Sequence, residues 1–145
     1  TRLQGDWSSD VCSSDLLAQA LGGGFALLSS YTYLDARTAA GQRLDKRPRH
    51  SGTVRLDWQH GPWRAGGYVE SSTDQQLPAL TAGAAPQSVG AVTLIGAQVT
   101  RRLSRNLEIA LGVRNLSQVQ LADVSPLFTD VEPPRSWRLT LRGRW

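Results

Sequence analysis

The sequence predicts an all-β chain, an antiparallel up-and-down meander of about six strands. Three observations lead there. Apolar and polar residues alternate at period two through segment after segment. The connections between those segments alternate between long and short. The last segment is a half-apolar strand that runs to an aromatic terminus, Trp145. Successive side chains of a strand point to opposite faces, so each such segment presents one apolar and one polar row.

In chain order, the first strand is read over 24–34, with Phe25, Leu27, Ser29, Tyr31 and Tyr33 opposite Ala26, Leu28, Ser30 and Thr32. Gly22-Gly23-Gly24 before it reads as a turn. A polar stretch, 35–50, is too long for a tight hairpin. Residues 51–59 set Val54, Leu56 and Trp58 against Thr53, Arg55 and Asp57. His60-Gly61-Pro62 is a short turn, and the chain returns over 63–70 with Trp63, Ala65, Gly67 and Val69 against Arg64, Gly66, Tyr68 and Glu70. A second long loop, 71–88, leads to a strand over 89–103. Ser104-Arg105-Asn106 turns it into a strand that sets Leu107, Ile109, Leu111 and Val113 against Glu108, Ala110, Gly112 and Arg114. The loop 117–135 delivers the final strand, where Trp137, Leu139, Leu141 and Trp145 face away from Arg138, Thr140, Arg142 and Arg144.

Short turns on one side and long loops on the other are the pattern of an outer-membrane barrel, whose strands carry an apolar lipid face and a polar lumen face. Trp58 and Trp63 beside a turn fit a membrane interface; in a soluble hairpin the same pair would be a cross-strand contact. Six strands do not close a barrel, since the smallest common ones have ~8. An open edge in lipid leaves backbone groups unpaired. The sequence also holds no methionine. The expectation is therefore the C-terminal part of a larger barrel.

Residues 1–16 differ from the rest. Ser and Asp dominate them, and the string from Gly5 to Leu16 resembles translated sequencing-adapter read-through. They are expected to stand outside the fold, leaving 17–145 as the barrel portion. Cys12, the one cysteine, lies among them, so no disulfide within the chain is possible.

Composition excludes several classes. The net charge of +4 is carried by arginines, with Lys46 the only lysine, and these are spread over alternating strand positions. No nucleic-acid partner is expected from that pattern. No run reaches the ~20 apolar residues of a membrane helix, which says nothing against strands. His50 and His60 sit at opposite ends of one strand, too far apart to share a metal. There is no nucleophile–base pattern at strand ends, no paired carboxylates and no phosphate-cradling glycine loop, so neither an enzyme nor a bound cofactor is expected. Arg43, Lys46, Arg47 and Arg49 form a basic stretch in the first long loop, which reads first as a simple solvated loop and second as a candidate for attracting an anionic ligand. Arg55, Asp57, Arg64, Glu70, Glu108 and Arg114 are expected to line the lumen and to pair with each other, or with a plug inside the barrel, rather than to touch substrate.

The residues from 24 to 145 resemble TonB-dependent outer-membrane receptors. The resemblance is carried by Tyr31-Thr32-Tyr33-Leu34-Asp35-Ala36, then Gly41, Leu44 and Arg47-Pro48-Arg49-His50; by Gly112-Val113-Arg114-Asn115-Leu116; and by Pro133-Pro134-Arg135-Ser136 ahead of a terminal aromatic. Ser117-Gln118 and Trp145 depart from the family pattern of Phe-Asp and a final Phe. The resemblance implies a barrel of about 22 strands closed by a plug, set in the outer membrane of a Gram-negative bacterium. It implies import of a ferric siderophore, cobalamin or similarly scarce ligand, with energy from TonB–ExbB–ExbD through an N-terminal part absent from this sequence. It also implies contact with outer-membrane lipid, and that Trp137, Leu139, Leu141 and Trp145 form the strand read by the barrel-assembly machinery. Another outer-membrane barrel, porin-like, and a soluble β-sandwich binding module are the alternatives.

Overall fold

The computed structural model describes residues 9–79, 85–121 and 133–143. They form one antiparallel sheet: β1 (Ser9–Gly22), β2 (Phe25–Arg37), β3 (Pro48–His60), β4 (Trp63–Leu77), β5 (Gln87–Val89), β6 (Val92–Arg102), β7 (Leu107–Arg114) and β8 (Ser136–Gly143). The order across the sheet is β1-β2-β3-β4-β6-β7-β8, with β5 laid on the outer end of β4. Every neighbour along the path is the next long strand in sequence, so the sheet is the expected meander.

The strand count differs from six. Residues 9–16, expected outside the fold, form the first part of β1 and pair with β2 from Ser9↔Arg37 to Leu16↔Ser30. A strand edge accepts a neighbour through backbone groups, whatever its side chains. The side chains fit the faces less well here: Ser13 stands opposite Tyr33 and Asp15 opposite Tyr31, both on the apolar side, though Gln19, beyond this segment, also stands there opposite Leu27. The other addition is β5, three residues that pair Gln75–Leu77 within the expected loop 71–88. Strands also run further into the loops than alternation shows, β2 to Arg37 and β4 to Leu77. Strand ends that stand in water need no apolar row, so the pattern fades before the ladder does.

Register carries the two faces across the sheet. Phe25, Trp58, Ala65, Val99, Leu111 and Leu139 lie on one rung, and Ala26, Asp57, Gly66, Gln98, Gly112 and Arg138 on the next. Between β2 and β8 one face is therefore mainly aliphatic and aromatic and the other mainly polar, and a slip of one residue would exchange them. The short turns gather on one side: Gly23-Gly24 between β1 and β2, Gly61-Pro62, and 103–106. Gly22, Gly23 and Gly24 all take φ between 58° and 85°, a conformation that residues with a Cβ adopt at a cost.

No core lies under the apolar face. Among the described residues only Ala36, Leu77, Val89, Val92 and Val113 are buried apolar side chains, whereas Val54, Leu56, Val69, Leu111, Leu139 and Leu141 are all exposed. The chain exposes 10733 Å², against about 7,300 Å² for a compact monomer of its 15.8 kDa mass. A soluble sandwich would bury this face under a second sheet, and the described residues contain none.

Within the polar face, the Tyr68 ring lies across Gly96 and fills the space a Cβ there would need. Aromatic cover of a strand glycine pins register. Gly96→Val in the complete barrel is expected to cost about 1–3 kcal/mol by overpacking. Thermal unfolding in detergent checks this, and Tyr68→Ala added to Gly96→Val should recover most of the loss.

Candidate functional site

Two aromatic groups bracket the apolar face. At the turn end, Phe25 and Trp58 have ring centroids 6.2 Å apart, Trp58 stacks on His60 at 6.1 Å, and the Arg101 guanidinium sits 4.9 Å over Trp63. At the loop end, the Tyr31 hydroxyl and His50 Nδ1 are hydrogen-bonded at 2.7 Å, with Tyr33 packed 5.2 Å from the same imidazole. From Trp58 to His50 is eight residues of β3, ~26 Å of strand. A tilt of ~40° reduces that to ~20 Å of depth, close to the ~25 Å apolar band between the aromatic girdles of a membrane barrel. The two histidines lie in different girdles, and among the described residues no three metal-binding side chains gather.

At the loop end an ion-pair cluster ties the rim. Arg49 reaches Asp35 at 3.3 Å and Asp74 at 3.2 Å, Arg37 holds Asp35 at 2.9 Å, and Arg43 holds Asp74 at 3.1 Å. Arg43 also donates to the Asp74 carbonyl at 2.7 Å. Backbone bonds close the same clasp: the Leu44 N–H donates to Ala36 and the Lys46 N–H to Gln76. Of the four basic loop residues, Arg43 and Arg49 are thus committed to carboxylates and half-buried, while Lys46 and Arg47 are exposed.

The last long loop is anchored by Asn115, which is 3% exposed and adopts a φ of 51°. Its Nδ2 donates to the carbonyls of Val119 (2.8 Å) and Pro133 (2.9 Å), and its Oδ1 accepts from the Val119 N–H at 2.9 Å. Leu116 and Ser117 bond the free edge of β6 at Ile95 and Thr93. Asn tolerates the left-handed region and supplies both a donor and an acceptor. Sequence reading met Asn115 only inside a motif; its signal is an Asn directly after a strand and before a long loop.

The polar face is concave and charged. One recess in it, about 610 Å³, is lined by Arg55, Asp57, Arg64, Glu108, Arg138 and Arg142 among others. Arg55 pairs with Asp57 at 2.7 Å; Glu108 is held by Arg64 and, at 3.3 Å, by Arg142. The expected pairing among luminal residues is present for Arg55, Asp57, Arg64 and Glu108. Glu70 and Arg114 have no charged partner within 4 Å among the described residues. Trp137, Leu139 and Leu141 form the apolar row of β8, the far edge of the sheet, and are 63%, 69% and 66% exposed. Trp145 lies outside the described residues.

A two-faced antiparallel meander, with girdled apolar and charged concave sides, defines a section of a transmembrane β-barrel. The sequence model of the family described as TonB dependent receptor-like, beta-barrel, matches residues 3–116, and the chain belongs to that family. It is a family of receptors and transporters of the Gram-negative outer membrane. No curated protein matches the chain. The match ends at Leu116; beyond it, β8 continues the same sheet in register with β7.

Replacing Asn115 by Ala is expected to destabilise the loop anchor by about 2–4 kcal/mol, from the lost hydrogen bonds plus the left-handed backbone. Asn115→Gly should spare the backbone share. Proteolytic nicking between residues 116 and 135 of the complete barrel, ranked wild type, then Gly, then Ala, is the check.

The pH response of the rim has a definite sign. Hydrogen bonding from Arg37, with Arg49 beside it, holds the Asp35 carboxyl below its ordinary range. A depressed carboxylate contributes stability above its unfolded pKa of ~3.9 and loses it as pH falls through the folded value. Hydrogen exchange at Leu44 and Lys46 should therefore remain protected at pH 5 and open only under about pH 4. Loss of protection already near pH 6 would contradict the clasp.

Proposed function

We propose that the chain is part of an outer-membrane receptor barrel that imports a scarce ligand of the ferric siderophore kind, and that it is not an enzyme. The family match over residues 3–116 carries the reading. The unclosed sheet supports a larger barrel: β1 and β8 each leave one edge unpaired among the described residues, and lipid tolerates no open edge. Energy would come from TonB–ExbB–ExbD acting on a part of the receptor outside this sequence. Lys46 and Arg47 would meet an anionic ligand at the rim, with Arg43 and Arg49 holding the loop that presents them. Trp137, Leu139, Leu141 and Trp145 would be the strand engaged by the assembly machinery, since an open strand is a template for strand addition. Residues 1–16 are proposed as foreign to the natural protein, on their composition and on the polar side chains they set in the apolar face.

The experiment begins by sequencing the source DNA upstream of the Leu17 codon, then expressing the recovered gene in a strain lacking its own iron receptors. Radioactive iron uptake that requires both the gene and TonB is expected. Uptake that persists without TonB, as through a porin, would overturn the reading, and an upstream frame that retains the Gly5–Leu16 string would overturn the foreign leader.

A further inference from the structure

Among the described residues, not every luminal arginine has a carboxylate partner. Around Glu108, at the turn end, Arg64 and Arg142 are paired. Arg114 and Arg138, nearer the long loops, have no carboxylate within 4 Å among the described residues. Arg138 is the partner of Gly112, and Arg114 the partner of Ser136. The two arginines therefore sit on a diagonal, ~7–8 Å apart at Cα. Like charges so placed repel, and nothing described relieves them.

The ground between them is open. On one rung lie Gln98, Gly112 and Arg138. Two strand spacings put Gln98 and Arg138 ~10 Å apart. Gly112 leaves that gap unfilled: a Cβ there would meet only ordinary contacts, 3.7 Å from Gln98 Cβ and from the Ala97 carbonyl. A recess of about 540 Å³ results, with Tyr68, Gln98, Arg114 and Arg138 on its walls. This is the size of a small-molecule pocket. It opens on the polar face beside the last residue of β7 and the first of β8; Arg55, already paired with Asp57, also lines it, and a solute coming from the long loops reaches it before the Arg64–Glu108–Arg142 group.

We propose that Arg114 and Arg138, with Gln98 and Tyr68 beside them, bind a small polyanion, a molecule carrying two or more carboxylate or phosphate groups. Arginine forks pair such groups bidentately; Gln98 and the Tyr68 hydroxyl supply neutral hydrogen bonds, and Gly112 supplies the room. The side from which ligand arrives rests on the receptor reading above. Acidic side chains of a domain lodged in the lumen are a different occupant; the unfilled gap over Gly112, suited in size to one small solute, favours the small molecule.

The test titrates citrate, as a probe tricarboxylate, into the full-length receptor in detergent by calorimetry. Wild type should bind, more weakly as salt rises. Arg114→Gln with Arg138→Gln, and separately Gly112→Val, which blocks the recess and keeps both charges, should each lose about tenfold or more in affinity. Arg105→Gln in the short turn should match wild type, and heat-modifiable gel migration verifies that every variant is folded. No citrate binding by wild type, as when acidic side chains already cover the arginines, overturns the proposal, and so does unchanged binding in either variant. TonB-dependent iron uptake is measured in the same strains. Uptake by wild type together with unchanged citrate affinity in the variants sinks the site and leaves the receptor reading standing, whereas absent uptake by wild type sinks that reading.

Discussion

The backbone ladder, held in a register that never slips by one residue between β2 and β8, is the constraint on which the rest depends. From Phe25 to Leu139 a single rung crosses these strands with apolar side chains, and the rung beside it crosses with Asp57, Gln98 and Arg138. In water such a sheet would need a second layer over its apolar side. In a bilayer lipid is that layer, and the ladder has the further task of pairing backbone groups that water cannot reach. Stability and location thus come from the same hydrogen bonds.

Electrostatics divides the polar face along the membrane normal. Near the turns, Glu108 is clasped by Arg64 and Arg142, and further from them Arg55 is paired with Asp57, on the rung of Arg138. At the opposite rim, Asp35 and Asp74 are shared among Arg37, Arg43 and Arg49. Beside the Arg55–Asp57 pair stand Arg114 and Arg138, flanking a glycine and with no carboxylate within 4 Å among the described residues. Solvent-exposed pairs of this kind contribute little each to stability; their consequence is where positive charge is left over.

Alternation made six strands, three short turns and both faces legible, because each strand between the girdles is solvated differently on its two sides. Trp58 and Trp63 were legible as interface residues for the same reason. Asn115 was visible only as part of a motif: its three side-chain hydrogen bonds reach Val119 and Pro133 across a loop whose shape no local pattern encodes. The Tyr68 cover over Gly96 was hidden too, since it requires knowing which two strands are neighbours and in what register. The rim cluster eluded reading because Arg43, Arg49, Asp35 and Asp74 come from separate stretches and meet only when β2, β3 and β4 align.

Read alone, the order of residues established an all-β meander and its two-sided character, since period-two hydropathy is a local property that each strand displays unaided; its resemblance to outer-membrane receptors was carried by motifs such as Gly112-Val113-Arg114-Asn115-Leu116. Which arginines meet a carboxylate among the described residues came from the folded sheet. So did the pairing of residues 9–16 with β2, the short β5 on β4, and the open ground above Gly112. Those features depend on distances between strands far apart in sequence, and only the register of the ladder sets them.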